Sequence, residues 1–110
     1  MKNEQLTGLI KNPTDNQILE QMELIGINDD MLPQAKAYLC IYSYWEDLDN
    51  LEEAYQGEWN NDEEFVQNLL EDCGYIPENM PAYIHIDWGK TAQDVMLDYS
   101  VDGYYYFRNL

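Results

Sequence analysis

Basic residues are scarce in this chain of 110 residues. Five lysines and arginines stand against 22 aspartates and glutamates, so the formal net charge is −17 at pH 7. Direct binding to nucleic acid needs a basic surface, and this charge opposes it. A net charge of roughly 2–8 in magnitude is enough for the solubility of a small domain, and a larger one destabilises the compact state by self-repulsion. The excess acid therefore calls for a functional explanation.

Cysteine, histidine and long apolar runs are also in short supply. Cys40 and Cys73 lie far apart and form no CxxC pair, so we expect free thiols rather than a disulfide. We find no secretory leader, and no apolar run approaches the ~20 residues of a membrane span. These absences predict a cytoplasmic protein.

Motifs of catalysis and metal binding are missing as well. His85 is the only histidine and alternates with apolar residues, which favours a structural or surface role. No Ser-His-Asp arrangement or glycine-rich phosphate loop is present. Asp47 and Asp49 begin the spacing of a calcium loop, but the residues after them do not complete it. We predict no enzymatic activity, no metal and no cofactor.

The acids that dominate the chain are interleaved with apolar and aromatic residues. Hydrophobic residues make up 45% and aromatic residues 14% of the chain, which excludes a solvated acidic tail. No basic residue lies between Lys36 and Lys90. We therefore expect the acids of this region to lie on folded elements.

Helix signals occur in both halves of the chain. Thr14 or Asp15 is suited to cap a helix that ends at Gly26. A second helix is predicted from Gln34 to Tyr44, although the run Tyr38–Tyr42 is equally compatible with a strand. Residues 1–45 are thus predicted to form a helical N-terminal region.

The second half, residues 46–110, is predicted to be an acidic α+β domain. Its clearest helix is Asp62–Cys73, and Asp87 is suited to cap a last helix, Trp88–Leu97. A short strand is predicted at Tyr55–Trp59, and a hairpin centred on Asp-Gly within Val101–Tyr104. The chain as a whole is predicted to be a helix-rich α+β domain. Its short antiparallel sheet would consist of the C-terminal hairpin plus one strand, with helices on one sheet face and acids outward.

Acid placement within the helix Asp62–Cys73 is unusual. The acids of its first turn favour the positive end of the helix dipole, whereas Glu71 and Asp72 near its end oppose the dipole. That arrangement costs a few tenths of a kcal/mol up to about one. It indicates that acid is needed there for something other than helix stability.

Four segments in the second half resemble one known family. They are LEEAYQGEWNNDEEF (Leu51–Phe65), IPENMPAYIHIDW (Ile76–Trp88), TAQDVMLDY (Thr91–Tyr99) and GYYYFR (Gly103–Arg108). In this order they are similar to the closing segments of ArdA-type antirestriction proteins, over about Trp45–Leu110. The chain resembles a shortened member that lacks the family's β-rich N-terminal domain.

The resemblance implies a function. Members of the family are elongated dimers that mimic bent duplex DNA and inhibit Type I restriction-modification enzymes, so that a phage or mobile element evades host defence. A shortened member is expected to act in the same way on a DNA-binding protein of a restriction-modification system. Two alternatives remain open: an anti-CRISPR protein that blocks DNA binding by a Cas effector, and an acidic adaptor or chaperone for a basic protein.

The predicted contact surface is a set of acids that would stand in for phosphates. Acids three or four residues apart on a helix lie about 5–6 Å apart, close to the phosphate spacing along one DNA strand. The members of the set are Glu46, Asp47, Asp49, Glu52, Glu53, Glu58, Asp62, Glu63, Glu64, Glu71 and Asp72.

The aromatic run at the C-terminus has two interpretations. Tyr104, Tyr105, Tyr106 and Phe107 either form a strand with alternate residues in the core, or form a contact between two copies in a homodimer.

Overall fold

The computed structural model describes residues 6–77 and 79–110, so residues 1–5 of the predicted N-terminal region lie outside it. The helices are α1 (Asp15–Ile25), α2 (Leu32–Tyr42), α3 (Leu51–Ala54), α4 (Asp62–Asp72) and α5 (Trp88–Val95). The strands are β1 (Tyr55–Glu58), β2 (Tyr99–Asp102) and β3 (Tyr105–Arg108). Short 3-10 segments cover Asp29–Met31, Trp45–Asn50 and Met96–Asp98. The predicted α+β class, helix-rich with a small antiparallel sheet, is confirmed.

The helix ends follow the capping signals of the sequence. Thr14 and Gln17 form a capping box at the start of α1, and Gly26 ends the helix in the left-handed conformation with a φ of 83°. Asn61 caps α4 and Asp87 caps α5, each accepting a hydrogen bond from a backbone N–H three residues later. These local interactions mark the ends of three of the described helices and stabilise each of them by about 1 kcal/mol.

The ambiguous run Tyr38–Tyr42 is helical, as part of α2. The helix begins at Leu32 and ends at Tyr42, two residues earlier at each end than predicted. Pro33 lies in the first turn of this helix. A proline has no backbone N–H, and this costs little in the first turn because the N–H groups there have no partner within the helix. One face of α2 is buried, since Ala35, Tyr38 and Leu39 are all in the core.

The sheet has the strand order β1-β3-β2, and both pairs are antiparallel. Asp102 pairs with Tyr105, so the loop of the hairpin consists of Gly103 and Tyr104 rather than the predicted Asp-Gly pair. Gly103 has a φ of 62°, and Tyr104 is not among the residues of positive φ. A positive φ at the first central position alone is the pattern of a type II′ turn, which selects glycine there.

Helices cover both faces of the sheet, so the prediction that they pack on one face was wrong. Tyr106 and Phe107 are consecutive residues of the central strand and therefore point to opposite faces. Both are buried: the Phe107 ring packs against Tyr38 of α2 at 5.0 Å, and the Tyr106 ring packs against Phe65 of α4 at 4.8 Å. A central strand with adjacent aromatic residues leaves apolar surface on each side, and burial of both sides requires two helical layers.

Two hydrophobic cores result, one on each side of the sheet. The first joins α1, α2, the segment Trp45–Asn50 and α3 to Phe107, and the second joins α4 and α5 to Tyr106.

The molecule extends 65 × 22 × 20 Å, with a radius of gyration of 17.3 Å. A compact chain of this length has a radius of gyration of about 13 Å. The protein is therefore elongated, while the division at residues 45 and 46 stays a prediction.

Candidate functional site

The predicted acidic surface lies on one continuous part of the chain, residues 46–72. It begins on the segment Trp45–Asn50, which packs in the first core, and ends on α4, which packs in the second. Ten of its eleven acids are exposed, and Asp47 is half-buried. We call these eleven residues the acidic surface. Because its elements belong to both cores, its carboxylates are distributed over both halves of the molecule.

Several of these acids have partners within the chain, and three of the contacts join residues that are distant in sequence. Glu46 accepts a hydrogen bond from the Gly8 backbone N–H at 2.8 Å, and Glu53 forms an ion pair with Arg108 at 3.6 Å. Asp62 accepts a hydrogen bond from the Tyr106 hydroxyl at 2.7 Å. These contacts join residues 38 to 55 positions apart, so helical spacing gave no signal for them.

The contact between Asp62 and Tyr106 ties α4 to the central strand. Burial, and next the hydrogen bond to Asp62, raise the pKa of Tyr106 above its usual value near 10. The hydroxyl is therefore neutral and donates to the carboxylate over the whole physiological range. Asp62 thus holds the start of the acidic helix against the sheet, a positioning role that the sequence did not reveal.

Asp47 is the one half-buried member of the acidic surface. Burial raises the pKa of its carboxyl, a hydrogen bond from the Tyr44 backbone lowers it, and the charge of Glu46 raises it, with a net upward direction. The environment of Asp47 thus disfavours the ionised form of its carboxyl.

A groove runs along the outer side of α4 towards the start of α5. Its lining combines acids, amides and two indole rings: Trp59, Asn61, Glu63, Glu64, Gln67, Asn68, Glu71 and Trp88. Glu64 is partly engaged, because it accepts hydrogen bonds from the backbone and side chain of Asn60 at 3.3 Å. We call this feature the tryptophan groove.

The aromatic run at the C-terminus is mainly a core strand. Tyr106 and Phe107 are buried in the chain's own cores, so they are inaccessible to a second copy. Tyr105 is half-buried and Tyr104 is 60% exposed. A homodimer contact through this run is thus limited to Tyr104 and Tyr105, and it stays a prediction.

Cys40 and Cys73 are free, as predicted, and both are exposed; His85 is exposed as well. Within residues 6–77 and 79–110, no group of three or more His, Cys, Asp or Glu side chains is arranged to hold a metal ion. In the same part of the chain, no helix has the length and apolar character needed to cross a bilayer.

Replacing Asn61 by alanine is expected to reduce the free energy of unfolding by about 1 kcal/mol, because α4 loses its N-cap. The Asn61 side chain accepts a hydrogen bond from the Glu64 backbone N–H at 2.8 Å. Urea denaturation gives the measurement. Asn68→Ala on the exposed face of the same helix is the matched control and should leave stability unchanged or slightly higher. An equal loss in both variants would contradict a capping role.

The family model described as antirestriction protein (ArdA) matches residues 13–106. The match begins well before Trp45, so it also includes α1 and α2, which the four similar segments had left out. No curated protein and no solved structure matched the chain. With most of its length covered by the match, the chain belongs to the ArdA family of antirestriction proteins.

Proposed function

We propose that this chain inhibits a Type I restriction-modification enzyme by occupying its DNA-binding site as a decoy for duplex DNA. The observation that carries the proposal is the combination of an elongated body, 65 Å long and about 20 Å wide, with a net charge of −17. At ~3.4 Å per base pair, that length corresponds to about 19 base pairs of duplex. The inhibition needs no catalysis and would take place in the cytoplasm of the bacterial host.

The charge density of the decoy is lower than that of DNA. The protein carries roughly one net negative charge per 4 Å of its length, against one per ~1.7 Å of duplex. Charge alone therefore gives this chain a weaker attraction to a basic cleft than DNA has. The carboxylates attract the enzyme over long range and can raise the association rate ~10–10³-fold, while short-range contacts must supply the remaining affinity.

The exposure of the acidic surface supports this mechanism. Glu52, Glu63, Glu71 and Asp72 are exposed on α3 and α4, and neither helix has a basic residue in its last turn. Their carboxylates are thus available to lysine and arginine side chains of a partner. Glu71 and Asp72 oppose the dipole of α4, a stability cost that makes sense if a partner uses them.

Competition with DNA tests the proposal. A fluorescently labelled duplex bound to a Type I restriction-modification enzyme should be released when this protein is added, and excess unlabelled duplex should displace the protein from the enzyme. If excess duplex does not displace the protein from the enzyme, the adaptor interpretation is favoured. Release of DNA from a Cas effector, with no effect on the restriction enzyme, would favour the anti-CRISPR interpretation.

Salt is expected to change the stability of the protein and its affinity for the enzyme in opposite directions. Between 50 and 300 mM NaCl, screening reduces self-repulsion, so the melting temperature should rise. The same screening weakens attraction to a basic cleft, so the dissociation constant of the complex with the enzyme, measured without DNA, should also rise. Differential scanning calorimetry and a DNA-free binding titration over the same salt series give the two measurements. A dissociation constant independent of salt would contradict the electrostatic mechanism.

A further inference from the structure

The tryptophan groove has a chemistry that the rest of the acidic surface lacks. Glu63, Glu64 and Glu71 line it together with the indole rings of Trp59 and Trp88. No lysine or arginine is among the residues that line it. Elsewhere on the described chain, a groove beside α1 is also acidic, with Glu20, Glu23 and Asp29 in its lining, but it has no aromatic residue.

The indole of Trp59 is held in place before any partner binds. Its Nε1–H donates to the Gln56 carbonyl at 3.0 Å, and its ring packs against Phe65 at 5.9 Å. Gly57 has a φ of 105°, and a Cβ at this position would lie 3.2 Å from the Trp59 Nε1 atom. The glycine therefore allows the close approach of the ring to the backbone. A fixed ring loses little conformational entropy when a ligand binds against it.

The carboxylates of Glu63 and Glu71 in the groove are open to a ligand. Glu46, Glu53, Asp62 and Glu64 are each held by a hydrogen bond or an ion pair. Among the described residues, no such contact holds the side chains of Glu63 and Glu71. An oxygen of Glu63 lies near the start of α5, since it would be 3.6 Å from a Cβ placed on Gly89. Glu63 therefore lies beside Trp88, the residue before Gly89.

We propose that the tryptophan groove binds an arginine side chain of the protein that this chain inhibits. A guanidinium group stacks on an indole face and forms two parallel hydrogen bonds with a carboxylate, and this groove offers both partners. A lysine ammonium is a point charge without a planar face, and it fits less well. The inference rests on the proposed function and adds to it the short-range contact that the charges alone do not provide.

Titration with short peptides tests the groove directly. The probes are acetyl-Gly-Arg-Gly-amide, its lysine counterpart and its citrulline counterpart, which is neutral but has nearly the same shape as arginine. The readout is the NMR signal of each indole N–H, with Trp45, which is buried in the first core, as the internal reference. The arginine peptide should shift the signals of Trp59 and Trp88 but not that of Trp45. The lysine peptide should bind about two- to fivefold more weakly, and citrulline should have no effect.

A double variant, Glu63→Gln with Glu71→Gln, should abolish the shifts caused by the arginine peptide. Glu20→Gln with Glu23→Gln removes the same charge from the groove without aromatic residues and should leave the shifts unchanged. Equal binding of arginine and lysine, or shifts that survive in the Glu63/Glu71 variant, would overturn the proposal. All four positions are exposed, so both variants should keep the fold, and the unperturbed Trp45 signal verifies this.

An inhibition assay with the same variants separates this inference from the proposed function. If the Glu63/Glu71 variant inhibits the restriction enzyme as well as its matched control does, the arginine contact is wrong and the decoy function stands. If the native chain binds the arginine peptide at the groove but never competes with DNA, the decoy function is wrong and the groove remains an arginine site.

Discussion

Replacing Glu52, Glu63, Glu71 and Asp72 together by lysine is expected to raise the protein concentration needed for half-maximal inhibition about 100-fold. The change reverses the sign of charge at four exposed positions of the acidic surface. An arrangement that attracted a basic cleft would then repel it, and the steering that contributes ~10–10³ to the association rate would be lost. A DNA-cleavage assay with a Type I restriction-modification enzyme, at fixed DNA and salt concentrations, gives the measurement.

Substitution of these four residues should leave the fold intact. Glu53 and Glu64 are left unchanged because they hold Arg108 and Asn60. Lysine at positions 71 and 72 favours the negative end of the α4 dipole, which offsets the unfavourable lysine at position 63. Far-UV circular dichroism and the melting temperature should therefore match those of the native chain.

A matched variant distinguishes the acidic surface from total charge. Reversing Glu20, Glu23, Asp29 and Asp30 alters the net charge by the same amount, on exposed positions of α1 and the 3-10 segment Asp29–Met31. We expect this variant to inhibit with a much smaller loss. If the two variants lose inhibition equally, net charge rather than the acidic surface determines binding.

Alkaline pH is expected to unfold the protein at pH values where most single domains are still stable. Burial raises the pKa of Tyr38 to about 12, and the pKa of Tyr106 is also raised. In the unfolded chain both side chains ionise near pH 10. The folded state therefore binds more protons than the unfolded state above pH 10. The stabilisation is fully present below that pH, and it is lost as the pH rises towards 12, by about 1.4 kcal/mol per pH unit for each tyrosine.

Urea denaturation between pH 8 and 11.5 measures this loss. Tyr38→Phe and Tyr106→Phe should each flatten the slope of unfolding free energy against pH above pH 10, because each removes one group that titrates. Tyr104→Phe is the matched control, since Tyr104 is exposed in the hairpin loop, and it should leave the slope unchanged. If none of the three substitutions alters this slope, general charge repulsion rather than tyrosine ionisation causes the alkaline unfolding.

Local signals were sufficient to predict several elements. Thr14, Asn61 and Asp87 each cap a helix in the structure, and Gly26 ends one. Caps act within three or four residues of the backbone groups that they satisfy, so they are visible in the sequence. The antiparallel sheet of β1 and the C-terminal hairpin was predicted for a similar reason, because a glycine turn and alternating residues define short strands.

The state of α2 and the layers around the sheet could not be predicted in the same way. The run Tyr38–Tyr42 is apolar enough for a helix or a strand. In the structure it is helical, and Tyr38 packs against Phe107 of the sheet. The adjacent aromatic residues of β3 are compatible with burial of both sheet faces. Only the positions of α2 and α4 show that both faces are covered. These contacts join residues 41 and 69 positions apart in sequence, so they have no local signature.

For the candidate site, the sequence determined the charge, the residues that carry it and the family resemblance, because these depend only on composition and order. The tertiary structure decided which carboxylates remain available. Glu46, Glu53 and Asp62 are engaged by Gly8, Arg108 and Tyr106, all from distant parts of the chain. It also brought Trp59 and Trp88 to one groove beside Glu63, and it gave the molecule its elongated shape. Charge is a property of the residues, but the arrangement of charges depends on packing between elements that are far apart in sequence.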